Sequence, residues 1–134
     1  MGWIHHIDIT VSDLARSTAF YDQVLKLMGF RRIRDEGGVP LWAADRTEVG
    51  LQQARPDHNR IHDRYSTGLH HIAFGASDRV AVERVYEALL KLGVNILDAP
   101  ATYEQYSPGY FAVFFADPDG IKLEYVYTPV WPTE

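Results

Sequence analysis

Two imidazoles, a carboxylate and an amide stand at related positions in this chain: His6, His71, Glu124 and Gln52. Imidazole nitrogen and carboxylate oxygen together suit a divalent first-row metal (Zn, Ni, Co, Mn or Fe), with an amide oxygen as a weaker fourth donor and water completing an open shell. A metal held in that way stabilises negative charge as it develops on a substrate oxygen. Asp8, two residues after His6 and on its face of an extended chain, is the candidate base beside such a centre. Asp8 and Glu124 are thus the candidate catalytic carboxylates.

The pairing of these positions comes from an internal repeat. Residues 5–27, HHIDITVSDLARSTAFYDQVLKL, align with residues 70–92, HHIAFGASDRVAVERVYEALLKL, at an offset of 65 with nine of 23 positions identical. A second registration, at an offset of 72, sets Ala44-Asp45 on Ala116-Asp117, Leu51 on Leu123 and Gln52 on Glu124. Self-similarity of this kind marks two copies of one supersecondary unit.

Each copy reads in the same order. Ile7, Ile9 and Val11 alternate with His6, Asp8 and Thr10, and Ile72 and Phe74 alternate with His71 and Ala73, the period-2 pattern of a half-buried strand. Ser-Asp then offers an N-cap. Apolar residues at helical spacing follow, Leu14, Phe20, Val24 and Leu27 in one copy and Val82, Val85, Leu89 and Leu92 in the other, until Gly29 and Gly93 stop the helix. Three strand-like segments complete each copy: 30–35, 39–44 and 48–54, then 94–98, 110–116 and 121–127. Gly37-Gly38 and Asp117-Pro118-Asp119-Gly120 read as turns between them.

The prediction is an α+β fold of two βαβββ modules, 3–54 and 69–127, joined by the charged connection 55–68 within one domain of residues 1–134. If the helices cover the side of Ile7, Ile9, Ile72 and Phe74, then His6, Gln52, His71 and Glu124 share the other side. The tail from Thr128, with Pro129 and Pro132, reads as loose.

Composition narrows the function classes. With 46% hydrophobic and 23% charged residues the chain has the make-up of a folded globular protein rather than a disordered one. Zero cysteines exclude disulfides, thiolate metal ligation and a cysteine nucleophile. A net charge of −5 argues against nucleic acid as a partner. No apolar run spans a bilayer, and the first residues lack the basic and apolar regions of a secretion signal, so a cytoplasmic location is expected.

The phrases HHIDITVSDLARSTAFYDQVL, HHIAF and FFADPDGIKLEYV resemble the vicinal oxygen chelate superfamily, the group of glyoxalase I, fosfomycin-resistance thiol transferases, methylmalonyl-CoA epimerase, extradiol dioxygenases and bleomycin-resistance proteins. The resemblance spans residues 3 to 127. It implies a glyoxalase-like fold, a cupped mixed sheet with helices on its outer face, commonly in a homodimer around a metal. By that likeness the two module histidines match His6 and His71, the Glu after DPDG matches Glu124, and the remaining ligand position matches Gln52.

Departures from the subfamily patterns narrow the chemistry. Extradiol dioxygenases carry a Tyr ten residues before the ligand Glu, where this chain has Phe114, and no His lies between His71 and Glu124. Glyoxalase I places a glutathione-holding Asn where this chain has Pro56, and the fosfomycin enzymes place Thr at Asp8. The resemblance implies a metal-dependent lyase or isomerase acting on a small vicinal-oxygen substrate through an enolate-like or oxyanionic intermediate. The competing expectation is a metal-free binding protein, like the bleomycin-resistance proteins, that sequesters a small aromatic or drug-like ligand. Trp42, Tyr103, Tyr106, Tyr110 and Phe114 are the candidate apolar wall, and His5 and His70, by strand alternation, point to the face opposite their neighbours, where they are expected at the edge of the core or supporting the ligands rather than in catalysis.

Overall fold

A computed structural model describes residues 1–33 and 38–131. The Gly37 half of the first expected turn, the end of the 30–35 segment and the last residues of the tail lie outside them. The chain divides into two compact units, Met1–Ile61 and His62–Glu134, whose boundary falls inside the expected connection.

The first unit runs β1 (His6–Val11), α1 (Leu14–Leu27), β2 (Arg31–Ile33), β3 (Leu41–Ala44) and β4 (Thr47–Gln53), followed by a 3-10 turn, Pro56–His58. Its sheet has the order β1-β4-β3-β2, with β1 parallel to β4 and the other pairs antiparallel. The second unit runs β5 (His71–Gly75), α2 (Arg79–Lys91), β6 (Asn95–Thr102), β7 (Phe111–Ala116) and β8 (Lys122–Tyr127). Its order is β5-β8-β7-β6, again with the first pair parallel. Both units are therefore βαβββ and the fold is α+β, as the repeat predicts.

Local chemistry sets the helix ends. Asp13 accepts a hydrogen bond from Arg16 N at 3.1 Å and Asp78 accepts one from Ala81 N at 2.7 Å, occupying amides that the first helical turn leaves unpaired. Gly29 and Gly93, at φ of 90° and 72°, reverse the chain after each helix. Leu25 O and Leu89 O then accept the amides of Phe30 and Val94, both at 3.0 Å.

Each helix covers one face of its sheet. In the first unit Tyr21, Val24 and Leu25 of α1 are buried with Trp42, Val49, Leu51, Ile9 and Val11, and the Tyr21 and Trp42 rings lie 6.4 Å apart. In the second, Val82, Val85 and Leu89 of α2 are buried with Phe115, Leu123, Val113 and Ile72, and the Arg79 guanidinium sits 3.9 Å over the Phe111 ring. Burial of each such aliphatic or aromatic side chain contributes roughly 1.5–3 kcal/mol relative to exposure. His6 and Asp8, and His71 and Glu124, alternate with these core residues and so occupy the opposite face of their own sheets.

Two features differ from the sequence expectation. β6 continues to Thr102 instead of stopping at Asp98, with Pro100 inside it. It is an edge strand whose ladder to β7 is irregular between Asp98 and Ala101, which is where a residue without an amide proton is tolerated. Trp42 belongs to no apolar wall. It is fully buried under α1, and its indole Nε1 donates to Asp22 Oδ1 at 3.0 Å.

Candidate metal centre

The second unit places its candidate ligands together. β5 and β8 are parallel neighbours with His71 opposite Lys122 and Ala73 opposite Glu124. The two side chains bridge this offset, leaving His71 Nε2 3.1 Å from Glu124 Oε1. Glu124 is 1% exposed. The turn before β8 sets its position: buried Asp117 accepts the amides of Asp119 and Ile121, each at 2.8 Å, and its carbonyl accepts Gly120 N at 3.0 Å.

The other oxygen of Glu124 is also engaged. Tyr110, at the end of the 103–110 loop, donates its hydroxyl to Glu124 Oε2. Burial first, and then this hydrogen bond, push the Tyr110 phenol well above its ordinary value, so it remains a donor. Sequence reasoning placed Tyr110 only as a strand or wall residue. No local pattern marks the contact, because the loop must close before Tyr110 reaches β8, and the amide of Tyr103 on the carbonyl of Tyr110 at 2.7 Å ties that closure.

Tyr103, Tyr106 and Phe114 gather beside the same groups. The Phe114 ring centroid lies 6.4 Å from that of His71 and 5.6 Å from that of Tyr103, and Tyr103 stacks on Tyr106 at 5.6 Å. Lys122 Nζ lies 4.5 Å over Phe114. Four of the five expected wall residues thus cluster in this unit, and an aromatic surface flanks the His71–Glu124 pair.

Each candidate histidine is backed by the histidine before it. His70 Nδ1 lies 2.8 Å from His71 Nδ1, and His5 Nδ1 lies 3.1 Å from His6 Nδ1, with the rings meeting edge-on. These contacts correct the expected opposite-face placement of His5 and His70 and fit the supporting role expected for them. Both precede the first residue of their strands, so strand alternation does not govern them. Loss of hydration, followed by the charge of His71, holds His70 below the usual imidazole range. His71 thus turns Nδ1 to His70 and Nε2 to Glu124 Oε1, so both ring nitrogens are engaged.

The donor geometry fits a metal of this kind. Adjacent ligand atoms on a first-row ion with bonds of about 2.1 Å lie about 3.0–3.4 Å apart, and the His71–Glu124 separation of 3.1 Å falls in that range. Among the described residues, no three His, Asp or Glu side chains form one ligand group.

In the first unit the ladder corrects the registration of β4. His6 is opposite Glu48, Asp8 opposite Gly50 and Thr10 opposite Gln52. Because His6 corresponds to His71, the counterpart of Glu124 is Gly50. Gln52 lies one further repeat along the strand, exposed, with Val126 as its counterpart. The sequence match of Gln52 with Glu124 slips by two residues because the second unit has the longer turn and β3 itself is displaced by one. Gln53, next to it, is structural, accepting Leu14 N and donating to Ser12 O, both at 2.8 Å.

Comparison with known proteins gives concordant results. The family model of the Glyoxalase/Bleomycin resistance protein/Dioxygenase superfamily matches residues 3–125. The chain is 33% identical over 124 residues to the uncharacterized protein YqjT of Bacillus subtilis, covering 92% of this chain and 97% of that one. It is also 33% identical over 127 residues to the metallothiol transferase FosB of Lysinibacillus sphaericus, covering 91% and 79%. A crystal structure from Bacillus halodurans, provisionally named a glyoxalase, superposes with a TM-score of 0.80 at 30% identity, covering 95% of this chain and 96% of that one. The lactoylglutathione lyase of Agrobacterium tumefaciens shares the fold at a TM-score of 0.72 and 22% identity, with 100% and 99% covered.

Proposed function

The chain belongs to the Glyoxalase/Bleomycin resistance protein/Dioxygenase superfamily, and from that premise we propose that it is a divalent-metal-dependent lyase or isomerase acting on a small substrate with vicinal oxygens. The observation that carries this reading is the 3.1 Å approach of His71 Nε2 to Glu124 Oε1 on a buried carboxylate. Sequestration of a ligand does not call for such a pair of potential metal donors. His6 joins the proposed ligands as the repeat counterpart of His71, supported by the same Nδ1 contact to its preceding histidine.

A bound divalent ion supplies Lewis-acid stabilisation of negative charge developing on the substrate. The chain's own residues do the rest. His70 and His5 orient the rings of His71 and His6, Tyr110 holds the Glu124 carboxylate through one oxygen, and Tyr103, Tyr106 and Phe114 offer an apolar surface to the substrate. The homodimer and cytoplasmic location implied by the family likeness belong to the same reading.

The similarity to FosB brings thiol transfer as a second reading of the same centre. The test begins with protein purified without a His tag. Elemental analysis is expected to find one divalent ion per chain in the wild type and none in His71→Ala. A wild type free of metal after incubation with Zn, Ni, Co, Mn and Fe, yet binding small aromatic compounds, would favour the sequestering protein instead. With the metal identified, turnover of α-hydroxy carbonyl and acyl-thioester compounds is expected. Turnover only when a thiol and an electrophile are supplied together selects the transferase, and sedimentation gives the oligomeric state.

A further inference from the structure

We propose that Lys122 is an anion anchor beside the His71–Glu124 pair, so that the substrate carries a compact oxyanion, a carboxylate or a phosphonate. This inference deepens the metal-dependent reading above, on which it rests for the chemistry of the neighbouring pair, and every residue it uses belongs to the second unit.

Strand pairing sets the lysine on the face of the pair. Lys122 stands directly opposite His71 on β5 and Ala116 on β7, two residues before Glu124 on β8. Side chains two residues apart on a strand, and those directly across a ladder, share one face, so His71, Lys122 and Glu124 rise from the same side of the sheet. The ring contacts agree. Lys122 Nζ lies 4.5 Å over Phe114, whose ring centroid is 6.4 Å from that of His71. One small molecule can therefore touch both the ammonium and the His71–Glu124 pair.

Among the described residues no carboxylate neutralises this charge. β8 is an inner strand, between β5 and β7, and Lys122 is half-buried on it, a setting in which lysine is ordinarily paired. Its cross-strand neighbours are an imidazole and a methyl group. Both oxygens of Glu124 are engaged, by His71 and by Tyr110, and no ion pair joins Lys122 to any described Asp or Glu. The face of Phe114 holds the ammonium in position, yet it supplies no oxygen to accept the N–H bonds.

An oxyanion supplies what this lysine lacks. The ammonium is a compact point charge with rotatable donors, suited to a carboxylate or phosphonate oxygen. Hydrogen bonds between charged partners are about twice as strong as neutral ones, so a neutral analogue of the same shape gains much less. The His71 side chain is 32% exposed, which leaves the pair within reach of a molecule seated on Lys122. Tyr103 stacks on Tyr106 at 5.6 Å and meets Phe114 edge-on at 5.6 Å, giving an aromatic substituent a surface beside the same groups. Mandelate joins an α-hydroxy acid to a phenyl ring and is the matching probe.

The test compares mandelate, phenylphosphonate and the neutral mandelamide in titrations of isotope-labelled protein, followed by NMR through the amides of β5 and β8. A chelator is present throughout, so that no metal contributes to binding. Lys122→Met keeps the stem over Phe114 and removes the charge. It is expected to lose at least about 10-fold in affinity for one of the two acids and to hold mandelamide within about 3-fold of wild type. Lys122→Gln, a second neutral form, is expected to match it, and Lys122→Arg to keep most of the affinity. Lys91→Met removes the same charge from the exposed end of α2, on the helix side of the sheet, and is expected to change nothing. The acid that loses more in Lys122→Met identifies the oxyanion as carboxylate or phosphonate. Failure of both acids to bind wild type, wild-type affinity for both in the folded neutral variants, or an equal loss in Lys91→Met would each overturn the assignment. Circular dichroism establishes the folded state of each variant. Absence of metal from the wild type by elemental analysis is a separate result that removes the metal reading and not the comparison made in chelator.

Discussion

Tyr110 donates its hydroxyl to Glu124 Oε2 while Oε1 of the same carboxylate faces His71, so both oxygens of a buried glutamate are held by side chains from outside its strand. Removing the phenolic hydroxyl leaves one of those oxygens without its donor in a site shielded from water.

Tyr110→Phe is therefore expected to destabilise the metal-free protein by about 1.5–3 kcal/mol at neutral pH, the range for a hydrogen bond to a charged group. Urea unfolding with circular dichroism measures it. A midpoint unchanged from wild type would show that the contact contributes nothing.

Alkaline pH acts on the same group. The Tyr110 phenol is raised in the folded chain above its ordinary value of 10.0, by burial first and Glu124 second. Its contribution is complete below pH 10 and is lost as pH rises through the higher folded value, because the unfolded phenol ionises first. Tyr103 and Tyr125 are raised in the same direction, chiefly by burial. Unfolding free energy measured from pH 8 upward is expected to fall beyond pH 10, less steeply in Tyr110→Phe. Parallel curves for the two proteins would contradict this.

The acid limb has a different origin. Asp22 is lowered below its ordinary 3.8, first by the Trp42 indole and then by Lys26, whose Nζ lies 2.9 Å away. Its contribution is present above 3.8 and is lost as pH falls through the lowered folded value. Asp22→Asn is expected to be less stable than wild type at pH 7 and to show a shallower loss between pH 4 and 2. Equal slopes in that interval would assign the acid sensitivity to other carboxylates.

Asp117 organises the turn that delivers Glu124 to its place. Asp117→Ala removes the acceptor of two amides and is expected to cost about 1.5–3 kcal/mol, while Asp117→Asn, which keeps an accepting oxygen, recovers much of it. Thermal unfolding distinguishes them. Two variants equally destabilised would show that the charge, and not the accepted hydrogen bonds, holds the turn.

The sequence alone determined whatever depends on near neighbours. Period-2 alternation placed His6, Asp8, His71 and Glu124 opposite the residues that pack on the helices, and Asp13, Asp78, Gly29 and Gly93 bounded those helices, because caps and amphipathic faces act within a few residues. The repeat itself disclosed βαβββ twice. Strand register was decided only by the tertiary structure. A slip of two residues leaves every side chain on its original face, so alternation could not tell Gln52 from Gly50 as the counterpart of Glu124. Turn length and ladder pairing tell them apart, since four residues lie between Ala43 and Glu48 while five lie between the corresponding Ala116 and Lys122. Tyr110 on Glu124 and Lys122 over Phe114 are likewise contacts between chain segments that meet only after the ladders form. In each case a side chain's partner is set by which backbone row lies beside it.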